Sequence, residues 1–268
     1  MELTLTDARG RRWSAPLDRC VDLSRPLDPA RPTIAFGLPP VEVAPFRAGG
    51  FVGDTREGGA VNCALVSLAP HGSGTHTECV GHIIDARTSV SATLRAPLVL
   101  GQLVWVACEA IGASGERYDA PHAEDDRVIT RRALEDALDP DAPCDALVIA
   151  RRGGDQPSDW TGSNPPYLTS DAACWLAERG VQHVLLDVPS IDREEDDGLL
   201  PNHRHFWAVP LGGRALTPES RAAATISELL HIPPETPAGA YALFVQLPPL
   251  ALDAAPSRVL AAPLTPVL

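Results

Sequence analysis

The chain has 268 residues, 44% of them hydrophobic, and a formal net charge of −13, so it can bury a sizeable core but offers no concentrated basic surface to nucleic-acid phosphates. All 22 basic residues are arginine, and without a lysine amine, Schiff-base chemistry, pyridoxal phosphate attachment and the usual phosphate-binding loop are excluded. The length predicts one domain over residues 1–268; the six cysteines contain no Cys-x-x-Cys pair, and the absence of a charged-then-apolar leader or a long apolar run predicts a cytoplasmic protein that does not engage a membrane.

Residues 2–5 and 18–23 are predicted strands. Between Pro26 and Gly59 the density of proline and glycine suppresses helix and interior strand, leaving a long irregular stretch that is either a wall or lid of a site or a plain surface crossing. Residues 60–68 (AVNCALVSL) end at Ala69-Pro70 and read as a buried strand. Residues 97–107 read as another strand or strand pair, with Gly101 a bulge or turn. Thr130 caps a helix over 131–138 that Asp139-Pro140 stops, and residues 145–150 form a short apolar run of the parallel-strand kind. Thr169 or Ser170 caps a helix through Arg179 with Gly180 as its stop, and a strand follows over 183–188. A helix over 222–230 and a strand over 241–247 complete the α/β alternation.

The chemistry concentrates in one segment, His71-Gly72-Ser73-Gly74-Thr75-His76-Thr77-Glu78-Cys79-Val80-Gly81-His82. Three glycines let the backbone turn tightly enough for three imidazoles and a carboxylate to converge, a donor set that suits zinc, manganese or iron. The ordinary alternative is a glycine-rich surface loop with scattered histidines. In an extended backbone His76 and Glu78 share a face while Thr77 and Cys79 point away, so Cys79 is not expected to be a ligand. The remaining cysteines read as free, mostly buried thiols. His122, His183 and His231 read as structural or surface histidines.

The chain resembles the cyclase family that includes bacterial kynurenine formamidase and isatin hydrolase. That family's pattern is His-x3-His-x-Asp-x3-His, which the segment from His76 to His82 matches with Glu78 in place of aspartate. Val21-Asp22-Leu23-Ser24-Arg25-Pro26-Leu27 is similar to the family's opening strand; Pro166 to Gly180 and Leu186 to Asp192 resemble its central helix and strand, and Leu200-Pro201-Asn202-His203 its second ligand loop. The resemblance implies a swivelling β/β/α fold in a homodimer or homotetramer. It also implies one or two divalent ions, Zn2+ or Mn2+, with His76, the bridging Glu78, His203 and Glu228 as ligands and His82 as the acid/base.

Two departures stand in the motif. Besides the glutamate, the family's first histidine lies four positions before the second, where this chain has Gly72. His71 reaches the metal if Gly72 to Gly74 bulge outward; otherwise water fills the position. The family's Trp-Pro-Gly pocket segment corresponds here to Ala35-Phe36-Gly37, so Phe36 is the expected aromatic wall. His205 shares a face with His203 if that segment is extended, as a ligand or substrate contact. Asp187 and Asp192 either orient ligand histidines or are turn residues at a strand end.

The expected activity is metal-dependent hydrolysis of an amide, formamide, lactam or ester bond of a small molecule, arylformamidase-like. The alternative is a non-catalytic ligand- or metal-binding protein on the same scaffold. A serine hydrolase is disfavoured, because no Gly-x-Ser-x-Gly elbow is present.

Overall fold

The run Ala146–Arg151 is buried at every position, as an apolar strand with parallel neighbours on both sides must be. In the computed structural model, which describes residues 1–154 and 156–267, this run lies in the middle of a nine-stranded sheet. The strands, in chain order, are β1 (Val21–Asp22), β2 (His76–Cys79), β3 (Val99–Val106), β4 (Ala146–Arg151), β5 (His183–Leu186), β6 (Thr225–Glu228), β7 (Gly239–Gln246), β8 (Ala254–Pro256) and β9 (Arg258–Pro263). Their spatial order is β8-β2-β6-β5-β4-β3-β7-β9-β1. The centre, β3 to β6, is parallel, and both flanks are antiparallel.

The period-two alternation of β4 divides its side chains between two cores. Leu147 and Ile149 join a cluster with Leu176, Phe206 and Trp207, while Ala146, Val148 and Ala150 join Leu103, Leu185 and Leu243 on the other face. The first cluster is covered by the helices α1 (Arg131–Ala137), α2 (Ser170–Glu178) and α3 (Pro201–Trp207). Thr130 caps α1 by accepting from the Ala133 amide, and Thr169 caps α2 by accepting from the Ala172 amide, both as expected for these residues. Gly101 is neither bulge nor turn. It lies inside the unbroken β3, where a Cβ would sit 2.1 Å from the Ala146 carbonyl oxygen, so the close approach of β3 to β4 excludes a side chain.

Three other predicted elements differ. Residues 18–23 yield only β1, preceded by a 3-10 turn over Leu17–Arg19. Residues 222–230 are not helical: Thr225–Glu228 forms β6, buried throughout. Four residues with β-branched Thr225 and Ile226 suit a slot between strands better than a helical turn. Residues 60–68 give only the strand Ala64–Ser67, which is exposed and pairs with Glu42–Pro45 as a two-stranded ribbon outside the main sheet. Leu65 and Val66 remain 58% and 60% exposed. No helix among the described residues is long and apolar enough to cross a membrane.

His183, at the start of β5, is mostly buried, and its Nδ1 lies 2.8 Å from the Thr225 hydroxyl. Burial, helped by the nearby Arg221 charge, pushes its pKa down to about 4. The unfolded chain therefore takes up a proton near the ordinary value of about 6.5 that the folded chain refuses. Stability is complete above that value and falls as pH drops toward 4. Urea unfolding at pH 7 and pH 4.5 is expected to show the wild type losing about 2 kcal/mol more than His183→Gln. Parallel losses in the two proteins would mean that the imidazole is not withdrawn from water.

Candidate metal centre

The site forms where β2 and β6 run antiparallel with Glu228 opposite His76 and Ile226 opposite Glu78. On β2, His76 and Glu78 point to one side, while Thr77 turns away to pair its hydroxyl with Ser227 at 2.7 Å. Cys79 lies against the Thr88 carbonyl, away from the cluster. All six cysteines are free. Beyond β2, a 3-10 turn over Val80–His82 brings His82 back over the strand.

Each of three histidines has one ring nitrogen fixed by an acceptor and the other directed at the carboxylates of β2 and β6. His76 Nδ1 is 3.0 Å from the Gly74 carbonyl and its Nε2 3.4 Å from Glu228 Oε2. His203 Nδ1 is 2.6 Å from Asp192 Oδ2 and its Nε2 2.9 Å from Glu78 Oε1. His71 Nε2 is 3.0 Å from Asp253 Oδ2 and its Nδ1 3.0 Å from Glu78 Oε2. Outer acceptors of this kind fix the tautomer and direction of metal-binding imidazoles. Asp192 is itself held by the Tyr118 hydroxyl at 3.0 Å and by the amides of Asn202 and His203.

His71 occupies this place because Gly72 cannot carry a side chain. A Cβ at Gly72 would lie 2.8 Å from Leu38 Cδ1 and 2.9 Å from the Ala35 carbonyl. The wall formed by Ala35 to Leu38 fills the space that the family's first histidine would need. Gly74, at φ 147°, has a conformation open to glycine alone among common residues, and it turns the chain from His71 into β2.

The donor set fits a divalent cation. His76 Nε2 and Glu78 Oε2 are buried without a hydrogen-bond partner among the described residues, although Glu228 and His71 stand within ion-pair distance of them. Orphaned buried polar atoms are costly, and the two side chains that carry these have donor atoms within 4.8 Å of each other. Burial opposes charge on His71 and His203, yet neighbouring carboxylates overcome it, raising His71 to about 10 and His203 well above the ordinary imidazole value. Burial likewise opposes the charge of Glu78, and His82 and His203 hold its pKa well below the usual carboxylate range. The carboxylates thus demand positive charge, which a divalent ion would supply while leaving the imidazoles neutral. Three groupings have donor atoms within 4.8 Å of one another: His71, His76 and Glu78; Glu78, His82 and His203; and His71, His82 and Asp253.

The cluster opens on a cavity of about 300 Å³ whose lining includes the apolar Phe36, Leu38 and Leu200 and the polar Ser190, Arg193 and Glu194. Phe36, at φ 58°, lies in a strained backbone position of the kind found at sites. His205 does not line this cavity. The segment carrying it is the helix α3, so positions 203 and 205 diverge by about 200° around the axis, and His205 pairs with Asp119 at 2.7 Å. Among the described residues Asp187 has no histidine partner; it pairs with Arg151, whose Nε lies 3.1 Å away. Asp253 carries no signal in the sequence, since its local sequence, Ala251-Leu252-Asp253-Ala254, has no ligand-like spacing.

Glu78 spans the gap between His71 and His203 with its two oxygens, and an aspartate would retract the carboxylate by about 1.5 Å. Metal-ligand distances tolerate only about ±0.2 Å. Glu78→Asp is therefore expected to bind Mn2+ or Zn2+ at least about tenfold more weakly, or about 1.4 kcal/mol. Equal or tighter binding together with undiminished turnover would show that Glu78 is not fitted to the longer loop between His71 and His76.

Residues 21–193 match a family model described as "Putative cyclase". Among solved structures, the chain is similar to a predicted metal-dependent hydrolase from Bacillus stearothermophilus, with 16% identity, TM-score 0.58, and coverage of 91% of this chain and 98% of that one. It is similar to isatin hydrolase A from Labrenzia aggregata, with 21% identity, TM-score 0.57, and coverage of 91% and 93%. A third likeness is to isatin hydrolase A from Ralstonia solanacearum, with 19% identity, TM-score 0.57, and coverage of 91% and 92%. At these identities the structures speak for the α/β fold, the swivelling β/β/α type, and the family model speaks for descent. Its match extends from β1 to the Asp192 that backs His203, well over half of the sequence, and the chain belongs to the cyclase family.

Proposed function

We propose that the protein is a metal-dependent hydrolase that cleaves an amide, formamide, lactam or ester bond of a small cyclic or aromatic substrate, arylformamidase-like in its chemistry. The observation that carries the reading is the pair of orphaned buried atoms, His76 Nε2 and Glu78 Oε2, in a cluster that opens through Glu78 on a cavity lined in part by Phe36, Leu38 and Leu200. His71, His76, Glu78, His203 and Glu228 would hold one or two ions, zinc or manganese by the nitrogen and oxygen character of the set. A divalent ion there supplies Lewis acidity toward a carbonyl and toward water.

The chain's own residues supply the rest. Phe36, Leu38 and Leu200 line the cavity, where they would bind a flat apolar ring and exclude bulk water. His82 lines the cavity with its side chain 26% exposed and stands 3.8 Å from Glu78, farther than His71 at 3.0 Å and His203 at 2.9 Å, so it would take a proton during attack and return it to the leaving nitrogen or oxygen. The test is elemental analysis of the purified protein alongside a screen of aryl formamides, lactams and esters. Bound zinc or manganese with hydrolysis of one class is expected. Less than about a tenth of an ion per chain after metal supplementation would sink the reading.

The same reading includes a homodimer or homotetramer. Val43, Phe51, Val61, Leu65 and Val66 are all 40% or more exposed on the segment that leads from the cavity wall to His71, and isolated two-stranded ribbons are marginal in water. Light scattering that returns a mass near 28.4 kDa would overturn this part alone.

A further inference from the structure

We propose that Asp253 is a positioning residue that sets the directions of His82 and His71 together, so that the acid/base presents Nε2 to the cavity while the ligand presents Nδ1 to Glu78. This inference rests on the hydrolase reading for its kinetic consequences, but its structural content stands apart from that reading. One oxygen, Oδ2, makes both contacts, at 3.0 Å from His71 Nε2 and 3.4 Å from His82 Nδ1. The two rings lie with centroids 4.3 Å apart, so one carboxylate suffices to hold the pair. For His82 no hydrogen bond to Nε2 is found among the described residues, which leaves that nitrogen for a substrate.

The surrounding chain is shaped to bring Asp253 to this point. Its carbonyl accepts from the Cys79 amide at 2.9 Å, which ties its backbone to the end of β2. The next residues, Ala254–Pro256, add β8 along β2 with Ala254 opposite Glu78. The preceding carbonyl, of Leu252, accepts from the Val90 amide at 2.9 Å. Gly81 completes the fit: a Cβ there would lie 3.2 Å from Asp253 Cβ and 2.6 Å from the Thr88 carbonyl. The residue before His82 thus has no side chain, and the space goes to the aspartate backbone and Cβ.

The arrangement gives Glu78 two matching supports. Oε1 faces His203, backed by Asp192, and Oε2 faces His71, backed by Asp253. Asp192 serves a ligand only. Asp253 serves a ligand and the proton carrier at once, and it does so from the far end of the chain. Outer partners of metal-bound histidines are commonly worth 10–100-fold in metal affinity or activity when removed.

The test uses Asp253→Asn and Asp253→Ala in the full-length protein with 15N-labelled histidine. Long-range 1H–15N spectra of the zinc-supplemented protein are expected to show the proton of His82 on Nδ1 in the wild type and on mixed nitrogens in Asp253→Ala, with His71 perturbed in the same variant. Turnover of whichever screened amide or ester the wild type hydrolyses is expected to fall about 10–100-fold through kcat, with KM within about threefold and an unchanged melting temperature. Asp253→Asn, which keeps an acceptor oxygen, is expected to recover part of kcat. If the His82 ring signals are the same in wild type and Asp253→Ala, the proposal fails, whether or not any substrate has been found. If both variants instead lose melting temperature and kcat in proportion, with ring signals intact in the folded fraction, Asp253 is only a structural residue.

Discussion

His82→Ala is expected to lower turnover by about 10² or more while leaving most of the bound metal in place. This imidazole differs from His76 and His203 in exposure, and from His71 and His203 in its distance from Glu78. The side chains of His76 and His203 are 0% and 2% exposed, whereas those of His71 and His82 are 25% and 26% exposed. The closest approach of His82 to Glu78 is 3.8 Å, against 3.0 Å for His71 and 2.9 Å for His203. Its Nδ1 lies 3.4 Å from Asp253 Oδ2, closer than the 3.8 Å to Glu78 Oε2. The competing role is real in the geometry, because His82, Glu78 and His203 also have donor atoms within 4.8 Å of one another. Metal content and rate measured on the same preparation separate the roles. Loss of metal in step with loss of rate would make His82 a ligand.

The part of the site that lay open to reading from the sequence is the part that is local. His76 and Glu78 are two residues apart on a strand, and the period of two places them on one face without any knowledge of the fold. His71, His82 and the directions of Thr77 and Cys79 follow from the same short segment. Residues brought in by the sheet order are a different matter. His203 and Glu228 are legible only through the family resemblance, and Asp253 is not legible at all, because only the antiparallel addition of β8 to β2 brings it near. The errors have a common cause as well. A helix is predicted over 222–230, and His205 shares a face with His203 only if that segment is extended; in both cases the neighbours in space decide. β6 is a strand because β5 and β2 flank it, and α3 is a helix because Phe206 and Trp207 pack into the core below the sheet. The exposed ribbon at 64–67 shows the converse. Its composition is that of a buried strand, and no pattern in the segment itself reports whether anything covers it.

His76→Ala is expected to empty the site, with metal affinity falling by more than the 10–100-fold that removal of an outer partner costs. His76 is fully buried, its ring is aligned by the Gly74 carbonyl at 3.0 Å, and Nε2 has no hydrogen-bond partner among the described residues. An imidazole held in this way, at a cost in unsatisfied polar surface, is most simply understood as waiting for a cation. Removing it leaves Glu78 and Glu228 on neighbouring strands with one neutralising group fewer, so the variant is also expected to gain little from added metal. A ligand at about 100 times its dissociation constant stabilises the folded state by about 2.7 kcal/mol, which is a readable rise in melting temperature for the wild type. In His76→Ala that rise should vanish at the same metal concentration, and the metal-free melting temperatures should differ by much less than the metal-loaded ones. If His76→Ala keeps both its metal and its metal-induced rise, the ion is held by the grouping of Glu78, His82 and His203 instead, and His82 would then be a ligand rather than the proton carrier.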